Sequence, residues 1–111
     1  MHTMKVQTKY YNLLKSGIKT IELRLYDEKR RLIQVGDEIQ FSDLSNPDDA
    51  FRATVIALHR ADNFSALCDI IHPKQAGFDS KEDLVSIMQQ FYQTDKQQEY
   101  GVVGIEIKKA P

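Results

Sequence analysis

The residues that follow Gly17 constrain the fold more than any other part of this chain. From Ile18 to Leu25, apolar and polar side chains alternate. One face would carry Ile21, Leu23 and Leu25, and the other Thr20, Glu22, Arg24 and Tyr26. Because successive side chains of a strand point to opposite faces, the pattern predicts a half-buried β-strand with one polar face. Gly17 is typical of the position that ends a helix, so we expect a helix from Thr8, its candidate cap, to precede the strand.

The order of the predicted elements favours an α+β fold. Strands are predicted at residues 4–7, 18–25, 38–42, 51–60 and 101–108, with the first helix after the first strand and further helices before the last. Strands grouped in this way, without regular βαβ alternation, favour a mostly antiparallel sheet. About five twisted strands can curl into a small β-barrel with helices on its side and end. Residues 43–50 are predicted to be a polar loop, and 51–60 a central strand that is apolar on both faces.

Two further helices are predicted from apolar spacing. The first carries Phe64, Leu67, Cys68 and Ile71 and is expected to end at His72-Pro73. The second carries Leu84, Ile87, Met88 and Phe91 at helical spacing, after a capping signal at Ser80. This spacing places Cys68 and Phe91 among the predicted core residues.

Length and composition are typical of one globular domain, which we expect to span residues 1–111. Hydrophobic residues make up 41% of the chain and charged residues 28%, a balance that disordered segments lack. No apolar run is long enough to span a bilayer, and the first residues show no secretory signal. The lone cysteine cannot form an internal disulfide, which suits a reducing compartment. We therefore expect a cytoplasmic protein without a membrane partner.

Charge is distributed unevenly along the chain, although the net charge is −1. Through Val35 there are eight Lys and Arg residues against three Asp and Glu, a balance of +5. From Gly36 onward there are seven against thirteen, a balance of −6. Long-range attraction of polyanions by the whole molecule is therefore not expected, but a local basic surface is.

The candidate functional residues lie between Lys19 and Arg31. Glu22 and Arg24 project from one strand face with their Cα atoms about 6.5–7 Å apart, and Lys19 stands at the strand entrance. The three offer an amine that becomes a base if desolvated, a carboxylate and a bidentate guanidinium. The candidate binding residues are Lys19, Thr20, Glu22, Arg24, Tyr26, Lys29, Arg30 and Arg31. Of these, Lys29, Arg30 and Arg31 could grip phosphates, and Tyr26 could stack on a base.

A simpler interpretation is that Glu22 and Arg24 only pair on a solvated face, which adds little to stability. No metal or cofactor site is predicted, because His2, His59 and His72 lie far apart and lack a recognisable ligand spacing. Tyr10 and Tyr11 could border a cleft, although core packing is the better interpretation for at least one of them.

Four segments together form a recognisable pattern. They are Gly17-Ile-Lys19-Thr20-Ile-Glu22-Leu-Arg24, Asp27-Glu-Lys29-Arg30-Arg31, Gly36-Asp37-Glu-Ile39-Gln-Phe41 and Tyr100-Gly101-Val-Val103-Gly104-Ile. With these segments in this order, the chain resembles the ASCH domain family of the PUA-like superfamily, in its small stand-alone bacterial type. The resemblance implies a β-barrel flanked by helices, a cleft lined by the first segment, and binding of RNA or other nucleic acids.

The resemblance also implies an enzymatic alternative. A small bacterial branch acts as an amidohydrolase on N4-acetylcytidine through a lysine and a threonine on this strand and a glutamate elsewhere, and ribonuclease activity is attributed to a relative. The lysine corresponds to Lys19, but Glu22 replaces the threonine. The glutamate would fall near Ala76 or Gly77, and neither of these is a carboxylate. In an enzyme, Lys19 would be the base, Glu22 the general acid or base, and Arg24 the stabiliser of an oxyanion. The sequence thus favours a module that binds RNA, a nucleotide or a nucleoside, with a small nucleoside or RNA hydrolase as the alternative.

Overall fold

The structure is a computed structural model that describes residues 1–110. Its elements are β1 (His2–Val6), α1 (Thr8–Ser16), β2 (Ile21–Leu25), α2 (Glu28–Arg31), β3 (Glu38–Asp43), β4 (Asn46–Ala61), α3 (Phe64–Leu67), a 3₁₀ helix (Pro73–Ala76), α4 (Lys81–Phe91), α5 (Thr94–Tyr100) and β5 (Val102–Lys109). Within these residues the strands form a mixed five-stranded sheet in the order β1-β3-β4-β5-β2. Only β1 and β3 are parallel in that sheet. It curls into a half-barrel with flanking helices, which confirms the predicted α+β, PUA-like fold.

The long strand β4 lies at the centre of the sheet, as its apolar faces predict. It pairs with β3 along its first half and with β5 along its second. The register with β5 shifts between Val55 and Ala57, which marks a β-bulge. A bulge bends the strand and increases its twist, so it helps the sheet to curl.

Both faces of the sheet are covered. The first core lies against α1 and joins side chains of β1, β3, β4 and β5, with Tyr11, Leu14 and Phe41 fully buried in it. The second core lies on the opposite face, where Ile21 and Leu23 of β2 pack against α3, α4 and the 3₁₀ helix. Strand β2 is therefore largely buried on both sides although it is an edge strand.

The predicted loop at residues 43–50 is wrong. Asp43 pairs directly with Asn46, so the connection is a two-residue turn and β4 begins at once. The backbone N–H of Ser45 donates to the Asp43 carboxylate at 3.0 Å, which closes the turn. The same carboxylate accepts the hydroxyl of Thr8, which lies inside α1 and does not cap it.

Other helix boundaries follow the sequence signals more closely. Gly17 ends α1 with a φ of 86°, and Ser80 caps α4 by accepting the N–H of Asp83. The helix that begins at Phe64 ends at Leu67, several residues earlier than its apolar spacing predicts. Phe91, predicted to be a core residue, is 46% exposed, because the last turn of α4 reaches beyond the packed core. None of the helices in residues 1–110 is both long and apolar enough to cross a membrane.

Candidate functional site

The candidate site lies between the two edge strands of the curled sheet. Strands β1 and β2 stand at opposite ends of the strand order, yet the Nη2 of Arg24 on β2 donates to the carbonyl oxygen of Lys5 on β1 at 2.9 Å. We call this place, where a side chain rather than strand pairing connects β1 to β2, the seam. The open side of the half-barrel is therefore bridged by a charged side chain.

The register of β2 explains which residues reach the seam. Glu22 lies opposite Ile105 and Arg24 opposite Val103 on β5, and both of these partners belong to the first core. Paired residues on neighbouring strands share a face of the sheet, so Glu22 and Arg24 point toward the inside of the half-barrel. Ile21 points the other way, into the second core. The polar face that alternation predicts thus exists, but it points inward.

Lys19, Glu22 and Arg24 form a buried charged triad. The Nζ of Lys19 lies 3.0 Å from Glu22 Oε1, and Arg24 donates to Glu22 Oε2 from Nη2 at 2.9 Å and from Nε at 3.2 Å. The Lys19 and Glu22 side chains are only 3% and 6% exposed, and that of Arg24 is 15% exposed. Glu22 and Arg24 do pair, but not on a solvated face as the simpler interpretation requires. The triad carries a formal charge of +1 within a largely apolar setting.

Lys19 is fixed by several independent contacts. Its Nζ donates to the carbonyl oxygen of Ala76, and its backbone N–H donates to that of Leu13 on α1. The ring of Tyr10 lies 5.0 Å from the same Nζ. Gly77, the residue after Ala76, has a φ of 90°, and a Cβ at this position would lie 3.3 Å from Lys19 Cδ. The turn after the 3₁₀ helix therefore needs glycine both for its conformation and for the space that the lysine stem takes.

Electrostatics keep the triad charged. Burial by itself would raise the pKa of Glu22, but the charges of Lys19 and Arg24 and their hydrogen bonds outweigh burial and leave that pKa below its usual value. Burial would likewise lower the pKa of Arg24, and Glu22 reverses this. Near neutral pH Glu22 is a carboxylate that holds two cations in place.

The triad forms the floor of a small cavity, which we call the inner cleft. Its volume is about 80 Å³, and it is lined by Val6, Gln7, Tyr10, Lys19, Glu22, Leu23, Arg24, Phe78, Met88, Phe91 and Tyr92. Four of these residues are aromatic. The rings of Tyr10 and Phe78 lie 5.6 Å apart at a tilt of 43°. The cleft thus combines a charged floor with aromatic walls.

The remaining candidate residues lie outside the inner cleft. Thr20 contributes its backbone, which accepts from Ile107 and donates to Gln75. Tyr26 follows β2 directly and packs against the guanidinium of Arg31 at 4.6 Å. Arg30 is held by Asp27, and Lys29 is exposed. The structure therefore places three of the eight candidates in a triad at the seam and three on a basic edge at α2, with Thr20 and Tyr26 in neither group.

Several lining residues were missed at the sequence level. Phe78 lies in a segment without regular periodicity, and the helical spacing of Phe91 assigned it to the core. Of the two neighbouring tyrosines, Tyr11 is fully buried in the first core and Tyr10 lines the cleft. The sequence does not show which of Tyr10 and Tyr11 is buried and which lines the cleft, because they are neighbouring tyrosines in the same turn of α1. Among residues 1–110, no group of three His, Cys, Asp or Glu side chains is placed to hold a metal ion.

Comparisons with known proteins agree with this fold. A model of the ASCH domain family matches residues 4–111. The crystal structure of the hypothetical protein PH0355 is 34% identical, with a TM-score of 0.85 and 97% of each chain covered. The solution structure of protein PF0455 from Pyrococcus furiosus is 33% identical, with a TM-score of 0.75 and coverage of 97% of this chain and 96% of that one.

A more distant structure shares the fold. The crystal structure of an ASCH protein from Zymomonas mobilis is 11% identical and has a TM-score of 0.69 over 96% of this chain and 65% of that one. No curated protein matches the sequence at a significant level. The curled mixed sheet with its flanking helices defines an α+β, PUA-like fold. Within that class, the chain belongs to the ASCH domain family.

Proposed function

We propose that this protein binds single-stranded RNA by taking one unstacked base into the inner cleft. The observation that carries the proposal is that Lys19, Glu22 and Arg24 line one concave cavity together with four aromatic side chains. Proteins that recognise single-stranded RNA stack splayed bases on aromatic side chains and bind their edges through hydrogen bonds. The cleft offers both kinds of contact.

Arg24 supplies the free hydrogen-bond donors. Its Nε and Nη2 are engaged by Glu22 and by the carbonyl oxygen of Lys5. In the part of the chain that the structure describes, no acceptor contacts Nη1, so two of the five guanidinium donors remain for a ligand. Glu22 holds the guanidinium plane by two contacts, which fixes the direction of those donors. A base edge that carries acceptors, such as a ring carbonyl oxygen, fits this arrangement.

The size of the cleft limits what can enter. Its 80 Å³ is well below the roughly 300–1,000 Å³ of ordinary small-molecule pockets. A duplex or a whole nucleotide does not fit such a space, whereas the edge of one flat ring does. This favours partial insertion of a base, with its sugar and phosphate outside the cleft.

Phe91 provides a test that leaves the fold intact. Its ring is 46% exposed at the mouth of the cleft, and base–aromatic stacking is worth about 1–3 kcal/mol. We expect Phe91→Ala to weaken binding of a fluorescein-labelled random hexaribonucleotide by about 5- to 150-fold in anisotropy titrations. Ile70→Ala, at another exposed apolar side chain away from the cleft, is the matched control and is expected to bind like wild type. Equal affinity of both variants would reject insertion of a base here.

The hydrolase alternative assigns catalysis to the same triad. A general acid must hold a proton at the working pH, and the lowered pKa of Glu22 opposes this. Incubation of RNA and of N4-acetylcytidine with wild type and with Lys19→Ala separates the two functions. We expect no product above the level of the variant, and wild-type turnover that Lys19→Ala abolishes would replace the binding proposal.

A further inference from the structure

A second and much larger cavity, the outer pocket, lies beside the inner cleft. It has a volume of about 660 Å³ and is bordered by α3, α4, α5 and the ends of β4 and β5. Its lining includes Tyr26, Arg60, Asp62, Gln98, Glu99 and Tyr100. This volume is within the range of ordinary ligand pockets, so a whole nucleotide fits.

Two arginines converge on one aromatic ring at the edge of this pocket. The guanidinium of Arg60 lies 3.9 Å from the ring centre of Tyr26, and that of Arg31 lies 4.6 Å from it. Arg31 also approaches the carbonyl oxygen of Tyr100 at 3.5 Å. In residues 1–110 neither guanidinium lies within ion-pair distance of a carboxylate. Both guanidinium groups are therefore free to donate hydrogen bonds to an anion.

The acidic residues of the pocket do not cancel this site. Glu99 is paired with Lys96 at 3.4 Å. Asp62 follows Arg60 by two residues on the same chain segment, and the structure shows no ion pair between them. The arginine end of the pocket is therefore the place for a phosphate, and the polar end near Gln98 the place for a sugar or a base.

The outer pocket and the inner cleft are neighbours in the fold. Tyr26 follows Arg24 by two residues, which along an extended chain separates their Cα atoms by about 6.5–7 Å. At the end of α4, Met88 lines the cleft and the adjacent Gln89 lines the pocket. Helix α4 thus lies between the two cavities, and neighbouring nucleotides of one RNA strand can occupy both.

We propose that the outer pocket is a second subsite for RNA, which holds the nucleotide next to the one whose base enters the inner cleft. The phosphate between the two nucleotides lies against Arg31 and Arg60. This inference rests on the proposed function and assigns Arg60, which no sequence signal singled out, to the binding surface.

The test compares two arginines of β4. Arg60→Ala removes one guanidinium from the pocket, and Arg52→Ala removes an exposed guanidinium eight residues earlier on the same strand, roughly 26 Å away. Both are read by anisotropy with the random hexaribonucleotide between about 25 and about 200 mM salt, a range wide enough to give a salt slope. We expect Arg60→Ala to bind about tenfold more weakly at low salt and to lower the slope of log K against log salt by about 0.7. Arg52→Ala is expected to match wild type.

Each outcome separates this inference from the proposed function. If Phe91→Ala weakens binding while Arg60→Ala behaves like Arg52→Ala, the cleft binds RNA and the outer pocket does not. If wild type fails to bind the hexaribonucleotide at all, the proposed function fails and the subsite with it. A thermal melt of each variant tests whether unfolding causes any loss of RNA binding. Both arginine variants are expected to melt at the wild-type temperature, because both arginine side chains are exposed.

Discussion

Replacement of Glu22 by glutamine removes the carboxylate that holds the charged triad together. Glutamine keeps the shape of the side chain, but it offers one carbonyl oxygen where the carboxylate offers two. Glu22 accepts from Lys19 through one oxygen and from Arg24 through the other. In the variant, one of these buried cations therefore faces an NH₂ group, and the triad changes from a formal +1 to +2.

The expected cost follows from burial of both partners. Breaking a buried ion pair by removing one member typically costs about 3–5 kcal/mol, because the other charge is left without compensation. A domain of this size is stable by about 5–15 kcal/mol, so Glu22→Gln is expected to remove a large part of that margin. Urea denaturation followed by circular dichroism measures the difference in free energy of unfolding between wild type and Glu22→Gln. A double variant that combines Glu22→Gln with Lys19→Met removes the unpaired positive charge, so it is expected to regain part of the lost stability.

The pH dependence of this loss has a definite sign. The folded-state pKa of Glu22 lies below its ordinary value of about 4.3, so its contribution is present in full above that value. As the pH falls through the lower folded-state pKa, the contribution is lost. The gap between wild type and Glu22→Gln is therefore expected to be widest near pH 7 and to narrow in strong acid.

An exposed pair supplies the control for the same chemical change. Glu99 and Lys96 are both 55% exposed, and an ion pair in contact with water contributes little to stability. Glu99→Gln is expected to unfold almost at the wild-type urea concentration. If Glu22→Gln proves no more harmful than Glu99→Gln, the triad is not the buried, mutually dependent unit described above.

Two glycines give further predictions. Gly104→Ala would place a Cβ 2.9 Å from Ile21 Cγ2, so we expect a loss of about 1–3 kcal/mol in urea denaturation; unchanged stability would show that the sheet yields there. Gly77→Ala combines a φ of 90° with a Cβ that would lie 3.3 Å from the Lys19 stem. We expect it to lower stability by about 1–3 kcal/mol and to weaken RNA binding as well, and wild-type affinity in anisotropy titrations would contradict the role of that turn.

Much of the fold follows from local sequence signals. Three of these signals extend over only a few residues each, and the structure contains the features that they predict. They are the alternation along β2, the apolar faces of β4 and the glycine at the end of α1. The turn at residues 44–45 shows the limit of this approach. Asp, Asn and Pro favour loops in general, but here the pairing of Asp43 with Asn46 depends on the register of two whole strands.

The residues of the triad could be predicted from the sequence, but their setting could not. Alternation correctly placed Glu22 and Arg24 on one face, yet it could not show that this face points into the half-barrel. That outcome depends on the curl of the sheet, which brings β1 within reach of Arg24. Phe91 and Arg60 depend on tertiary structure in the same way. Phe91 lies at the end of α4, beyond the packed core. Arg60 at the end of β4 packs against Tyr26, which follows the separate strand β2.

The most direct test of the central claim is a titration of ¹⁵N-labelled protein with the random hexaribonucleotide, followed by heteronuclear NMR. If a base enters the inner cleft, the Nε–H signal of Arg24 and the backbone signals of Lys19, Glu22 and Phe91 shift together as RNA is added. Signals of Arg52, on the far half of β4, stay in place. If the RNA shifts signals of other residues while the signals of Lys19, Glu22, Arg24 and Phe91 stay unchanged, the proposal that a base enters the inner cleft is contradicted.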